Sequence, residues 1–180
     1  GNIEAVVTVG EPGTVKPHEV TLSADRTKAF VSLYGSADYG PNNVPANKIA
    51  VVDVVHMKLL GHIDLNLYSG PHALYTDRND KIWVTVDPNR CVLIIDSDSW
   101  EIERSIWLET PGHFSAASPD GKRLYFGAKE YPVVTEVDIA SKEITARIPV
   151  PVGAQAVRVS PDGSRLYVGD FHRPLLHVID

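Results

Sequence analysis

A chain of 180 residues with 43% hydrophobic and 22% charged residues has an ordinary globular composition, long enough to bury a sizeable core. Its net charge of −6, with acids and bases interspersed, argues against general nucleic-acid binding, which needs a basic face. No run approaches the roughly 18 apolar residues that cross a bilayer as a helix, and a single cysteine, Cys91, excludes an internal disulfide.

In chain order, Ile3 to Val9 reads as one strand, ended by Gly10-Glu11-Pro12-Gly13. Four copies of one unit follow. The first opens at Pro17-His18-Glu19, turns at Ser23-Ala24-Asp25-Arg26 and continues through strands at Ala29–Ser32, Ile49–Asp53 and Leu59–Ile63. The second opens at Pro71-His72-Ala73, turns near Asp77–Asp80, and runs through Ile82–Thr85 to Asp96 and Glu103–Ile106. Cys91 falls in the apolar run Cys91–Ile95 and reads as a buried core thiol. The third opens at Gly112-His113-Phe114 and the fourth at Gly153-Ala154-Gln155. Both carry the clearest form of the repeat, Ser118-Pro119-Asp120-Gly121 and Ser160-Pro161-Asp162-Gly163, offset by 42 residues. Pro sets the turn, Asp bonds back to the backbone, and Gly takes the left-handed position.

The spacing from second-strand aromatic to third-strand aspartate fixes the register. Trp83 to Asp96, Tyr125 to Asp138 and Tyr167 to Asp180 are each 13 residues, whereas Phe30 to Asp53 is 23. The extra ten lie in a Gly/Pro/Asn-rich insertion over 35–48. Four short strands per repeat of 41–42 residues predict an all-β fold, a β-propeller of about four blades of four antiparallel strands. The blades fall at about 14–65, 66–109, 110–150 and 151–180, in a single domain. The unit is either a small closed ring, with the strand over 1–9 completing the last blade, or an arc of a larger one. An arc leaves apolar blade faces open and predicts self-association. The recurring Asp53, Asp96, Asp138 and Asp180 read as turn caps, and Phe30, Trp83, Tyr125 and Tyr167 as interblade core. Trp100 and Trp107 fall near the outer strand and read as packing.

The repeat Ser-Pro-Asp-Gly-x-Arg-Leu-Tyr-Val-Gly, followed by Val-Ile-Asp and Ile-x-Ala-x-Ile, resembles the YVTN or YncE-like propeller repeat. Ser69–Leu74 with Lys81–Thr85 also resembles blades of virginiamycin B lyase-like and gluconolactonase-like (lactonase-like) propellers. The resemblance implies a ring of about seven blades, with a periplasmic or secreted location. It further implies that each innermost strand lines a channel, and that the loop entering it shares a face with the loop between the second and third strands.

On that topology one mouth collects His18, His72, His113 and, in the fourth blade, Gln155. Facing loops bring Asp38 and Tyr39 from the insertion, Asp87, Glu130, and the cluster Asp170, His172 and Arg173. The ligand-binding candidates are His18, His72, His113, Gln155, Asp170, His172, Arg173 and Tyr39. The metal-ligand candidates are His72, His113, Asp87 and Glu130, for one divalent ion or none. The competing reading is structural, since a polar residue at a blade entrance also hydrogen-bonds the neighbouring blade. One spacing bears on it. His18 and His113 lie twelve residues before their aromatics and His72 eleven before Trp83, so without a compensating gap His72 points to the opposite face. Two functions follow. One is a YncE-like binding or scaffold protein that takes a protein or small-molecule ligand at the mouth, without catalysis. The other is a metal-dependent lactonase- or lyase-like enzyme. Metal that copurifies and is lost with the histidines separates them. No Gly-x-Ser-x-Gly elbow or phosphate loop is present.

Overall fold

A computed structural model of the chain describes residues 1–36 and 44–180. The described residues form fifteen strands and one short 3-10 turn, in four antiparallel sheets. Blade 1 is β1 (Lys16–Leu22), β2 (Lys28–Gly35), β3 (Pro45–Asp53) and β4 (Lys58–Asp64). Blade 2 is β5 (Pro71–Thr76), β6 (Lys81–Val86), β7 (Cys91–Asp96) and β8 (Ile102–Trp107). Blade 3 is β9 (Ser115–Ala117), β10 (Arg123–Gly127), β11 (Val133–Asp138) and β12 (Glu143–Pro149). Blade 4 has three strands, β13 (Ala154–Val159), β14 (Leu166–Asp170) and β15 (Leu176–Ile179). Strands pair in chain order within each blade, as the short turns between them require.

The turn chemistry follows the repeat. Ser118 Oγ donates to Asp120 Oδ1 and accepts from Arg123 N, while Gly121 sits at φ +70°. Ser160 and Asp162 repeat the arrangement, and so do Ser23 and Asp25, with Arg26 in the left-handed position at φ 61°. In blade 2 Asp77 replaces the serine. Its Oδ1 accepts from Asn79 N and Lys81 N, and its Oδ2 from the buried Trp83 Nε1. The third-strand aspartates cap the next turn: Asp53 Oδ1 accepts from Val55 N and His56 N, Asp96 Oδ1 from Asp98 N and Ser99 N, and Asp138 Oδ1 from Ser141 N.

The middle strands are nearly continuous apolar runs, such as Ile82–Val86 and Cys91–Ile95, because both faces of the central blades are buried against neighbours. Phe30, Ile49 and Val51 pack on Leu74, Val84 and Leu93 between blades 1 and 2. Trp83, Val92 and Ile94 pack on Leu124, Phe126 and Val137 between blades 2 and 3. A smaller layer of Val134, Val157, Leu166 and Val168 joins blades 3 and 4, with Tyr125 against it. Cys91 is buried, and burial pushes its thiol up to about 11, so it is packing material rather than a nucleophile.

Inner strands carry the blade-to-blade contacts: β1 meets β5, β5 meets β9, and β9 meets β13. No contact of that extent joins β13 to β1 among the described residues. The blades form an open arc. Val20 and Leu22 are exposed on blade 1, and Leu176 and Val178 on blade 4.

Three expectations change. Residues 1–9 form no strand and do not pair with β15. A strand needs an edge for its backbone groups; this segment is tied instead to blade 1, at the other end of the arc, where His62 Nε2 meets the Val9 carbonyl at 2.8 Å. The insertion is shorter than 35–48, because Pro45–Lys48 extend β3, with Gly35 opposite Pro45 and Leu33 opposite Lys48. Trp107, read as packing, is 64% exposed on the outer strand β8, whereas Trp100 covers Gly61 and packs on the first core layer.

Candidate functional site

The three entrance histidines come together. The His18 and His72 rings lie 4.0 Å apart between centroids, and so do those of His72 and His113. Phe114 meets His72 edge-on at 5.1 Å and His113 at 4.8 Å, and Tyr34 meets His72 edge-on at 5.5 Å. The one-residue mismatch at His72 is absorbed on the opposite rim. His18, His72 and His113 each stand four residues before the last paired residue of the inner ladder: Leu22, Thr76 and Ala117. From there to the next strand the chain takes seven residues in blades 1 and 3 (Leu22 to Ala29, Ala117 to Leu124) but six in blade 2 (Thr76 to Ile82). The missing residue is in the turn, so all three imidazoles face the same way. A bulge beside His18 in β1 is matched by one beside His72 in β5.

Two hydroxyls that the repeat pattern did not single out hold this row in place. Ser32 Oγ accepts from Glu19 N, next to His18, and donates to the His72 carbonyl at 2.9 Å. Thr85 Oγ1 accepts from Ala73 N, next to His72, and donates to the His113 carbonyl at 3.1 Å. Each hydroxyl thus fixes the backbone beside one histidine and grips the next blade's histidine. Both stand two residues after the second-strand aromatic, where blades 3 and 4 have Gly127 and Gly169; that departure from the repeat was the available signal. At Gly127 a Cβ would fall 2.5 Å from the Gln155 carbonyl and 2.9 Å from that of Ala154. Blade 4 therefore approaches blade 3 backbone to backbone, and Gln155 occupies the fourth entrance without joining the ring stack.

Burial, then the neighbouring imidazoles of His113 and His18, push the His72 pKa down to about 2. Burial, then Lys129 and His18, push that of His113 down to about 4. His18 is also lowered by burial, with Glu19 pulling the other way. These imidazoles are neutral at pH 7, the form that ligates metals. Asp87 opens the 3-10 turn Asp87–Asn89 after β6. Burial lifts its pKa to about 7, against the pull of Lys129, and its Oδ1 is buried with no hydrogen-bond partner among the described residues. Donor atoms of His72, Asp87 and His113 all lie within 4.8 Å of one another, so this group could hold a metal ion.

Glu130, the fourth expected ligand, is not in the group. It stands three residues beyond the end of β10, at the rim, with its carboxylate 62% exposed, 3.9 Å from Lys129 Nζ and 3.8 Å from His172 Nε2. Asp170 is committed to its own turn. Its Oδ1 accepts from His172 N and Arg173 N, and its Oδ2 from Arg173 Nε and Nη2 and from the His177 ring. Burial raises its pKa, but the bonds from Arg173 and His177 outweigh that and hold it well below the usual range. Arg173 is thereby spent on Asp170, and His172 stays at the rim near Glu130. Tyr39 and Asp38 lie outside the described residues. Lys129, which sequence reading passed over, sits 3.9 Å over the Phe171 ring and acts electrostatically on both Asp87 and His113.

No family model matches the chain, and no curated protein sequence matches it. Solved structures do. Hydrazine synthase of Kuenenia stuttgartiensis matches with a TM-score of 0.72 at 21% identity, over 93% of this chain and 45% of that one. Virginiamycin B lyase of Staphylococcus aureus matches with a TM-score of 0.67 at 17% identity, over 89% of this chain and 54% of that one. The chain spans about half the length of these structures. The likeness is one of fold: this is a β-propeller scaffold. Fold alone does not decide between binding and catalysis.

Proposed function

We propose that this propeller binds a ligand at its mouth rim through a divalent transition metal held by His72, Asp87 and His113. The observation that carries the reading is the convergence of two neutral imidazoles and one buried carboxylate oxygen within 4.8 Å, from two different blades. Imidazole with carboxylate suits zinc and its first-row neighbours better than calcium or magnesium, which prefer all-oxygen sets. The Thr85 hydroxyl, bonded to the backbone beside both histidines, supplies the outer support such ligands need. Among known repeats, the turn motif supports a YncE-like binding protein, exported to the periplasm or secreted.

A lactonase- or lyase-like activity is the second reading. What favours it is the ligand count: three protein donors leave a coordination position open, the pattern of catalytic rather than structural zinc. The test begins with metal analysis of the chain after zinc loading and desalting. About one equivalent per chain is expected, with most of it lost in His72→Ala/His113→Ala and in Asp87→Asn, the second variant lying in a loop that leaves the core intact. Wild-type stoichiometry in both folded variants would sink the metal reading. Metal-dependent turnover on a panel of lactones would shift the balance to the enzyme.

A further inference from the structure

Resting on that metal reading, we infer that Asn89 is a positioning residue for the metal: its amide ties the turn that carries Asp87 to the segment that leads into His72. The two ligands are set side by side at one end of the β5–β6 ladder. Pro71 pairs with Val86, and the residues that follow them are His72 and Asp87. His72 continues along β5. Asp87 instead passes beyond the end of β6 into the 3-10 turn Asp87–Asn89. Its Oδ1 is buried with no hydrogen-bond partner among the described residues, so the backbone of the turn aims that oxygen.

That turn is braced from outside. Arg90 N donates to the Asp87 carbonyl at 3.1 Å and closes it. Asn89 Oδ1 accepts from Ser69 N at 2.9 Å, three residues before His72. Gly70, next in the chain, has left-handed backbone at φ +64°, and a Cβ there would stand 2.9 Å from Pro88 Cδ. The linker therefore lies directly against the turn. It is anchored in blade 1 as well, where Gly70 N donates to the Ala46 carbonyl at 2.7 Å. Thr85 ties the backbone beside His72 to that of His113; Asn89 supplies the matching tie between the approach to His72 and Asp87. A ligand that loses outer support keeps its donor atom and loses its aim, which costs about ten- to a hundredfold in metal affinity.

Titrating the full chain with Co2+ reads affinity and geometry together, because visible ligand-field bands respond to the placement of the donors. Asn89→Ala keeps all three ligands and is expected to bind Co2+ about tenfold more weakly, with bands changed in position and intensity. Asn89→Asp keeps the accepting oxygen and is expected to restore the parental bands. Bands rather than affinity are compared for that variant, since its added charge attracts the cation in any geometry. Asn89→Gln moves the amide by one methylene and carries the same expectation as Asn89→Ala, should the alanine variant not fold. A purely structural hydrogen bond lowers the denaturant midpoint alone. Parental affinity or parental bands in the folded alanine or glutamine variant would therefore overturn the inference, as would an Asn89→Asp spectrum unlike the parent's. Failure of the parent to take up Co2+, or full uptake in His72→Ala/His113→Ala, would instead remove the metal site, and the inference with it.

Discussion

The junction between blades 2 and 3 and the junction between blades 3 and 4 are built from the same repeat and behave differently. At the first, Thr85 spans the gap with its hydroxyl, and the histidines of two blades stack 4.0 Å apart. At the second, Gly127 removes the side chain, the backbones close up, and the fourth blade carries Gln155 where the others carry histidine. One position, two residues past the aromatic, separates a junction bridged by a hydroxyl and stacked imidazoles from one where backbone meets backbone. A repeat protein can thus localise a site to part of its arc without changing its strands.

The comparison is open to attack at the backbone-to-backbone junction first. Gly127→Ala places a Cβ against two carbonyl oxygens of β13 that cannot swing away, and is expected to cost about 3 kcal/mol, the upper end of overpacking, read as a lowered denaturant midpoint. A Gly127→Ala protein as stable as the parent would mean that the blades do not meet there.

The polar junction is tested next by acid. In the unfolded chain the histidines titrate near 6.5, whereas in the fold His72 is held at about 2 and His113 at about 4. Below pH 6.5 the unfolded state therefore binds more protons at these sites, and stability falls with falling pH until the folded-state values are reached. Asp87 works the other way, because its folded value of about 7 lets the native state hold a proton that the unfolded carboxylate gives up. Two imidazoles against one carboxylate leave about one net proton, or about 1.4 kcal/mol per pH unit between pH 6.5 and 4.5 in the metal-free protein. Asp87→Asn should steepen that slope. A flat profile would show that the imidazoles are solvated rather than buried.

The smallest expected effect is the most specific. Thr85→Val strands Ala73 N and the His113 carbonyl and should cost about 1–2 kcal/mol, with weaker metal uptake and recovery in Thr85→Ser. Stability loss without change in metal uptake would confine the hydroxyl to a structural role.

Much of this was legible beforehand. The Ser-Pro-Asp-Gly turns, the aspartate caps and the aromatic spacing depend on local backbone chemistry, so the repeat announced blade number and register. The grouping of His72, His113 and Asp87 was open to expectation only through the family resemblance, which supplies the topology that puts entrance and second-loop residues on one rim; the spacing by itself set His72 on the opposite face. The hydroxyl bridges of Ser32 and Thr85 did not follow. Alternation tells which side a residue faces, not whether the next blade stands close enough to accept its proton. Glu130 missed the metal group for a related reason: it stands three residues past the end of β10, where Asp87 stands one past the end of β6, and its carboxylate is carried outward. The segment 1–9 carried a strand's pattern without a strand's edge, and pattern cannot supply the partner.

The shortened turn of blade 2 has a wider consequence. Because residues are counted into the mouth from the inner end of each ladder, gaining or losing a residue in a Ser-Pro-Asp-Gly-type turn leaves the imidazoles where they were. The two rims of the propeller are separately evolvable. One can be lengthened, trimmed or decorated to suit a different neighbour, as a handle is changed on a tool, while the other keeps its chemistry untouched.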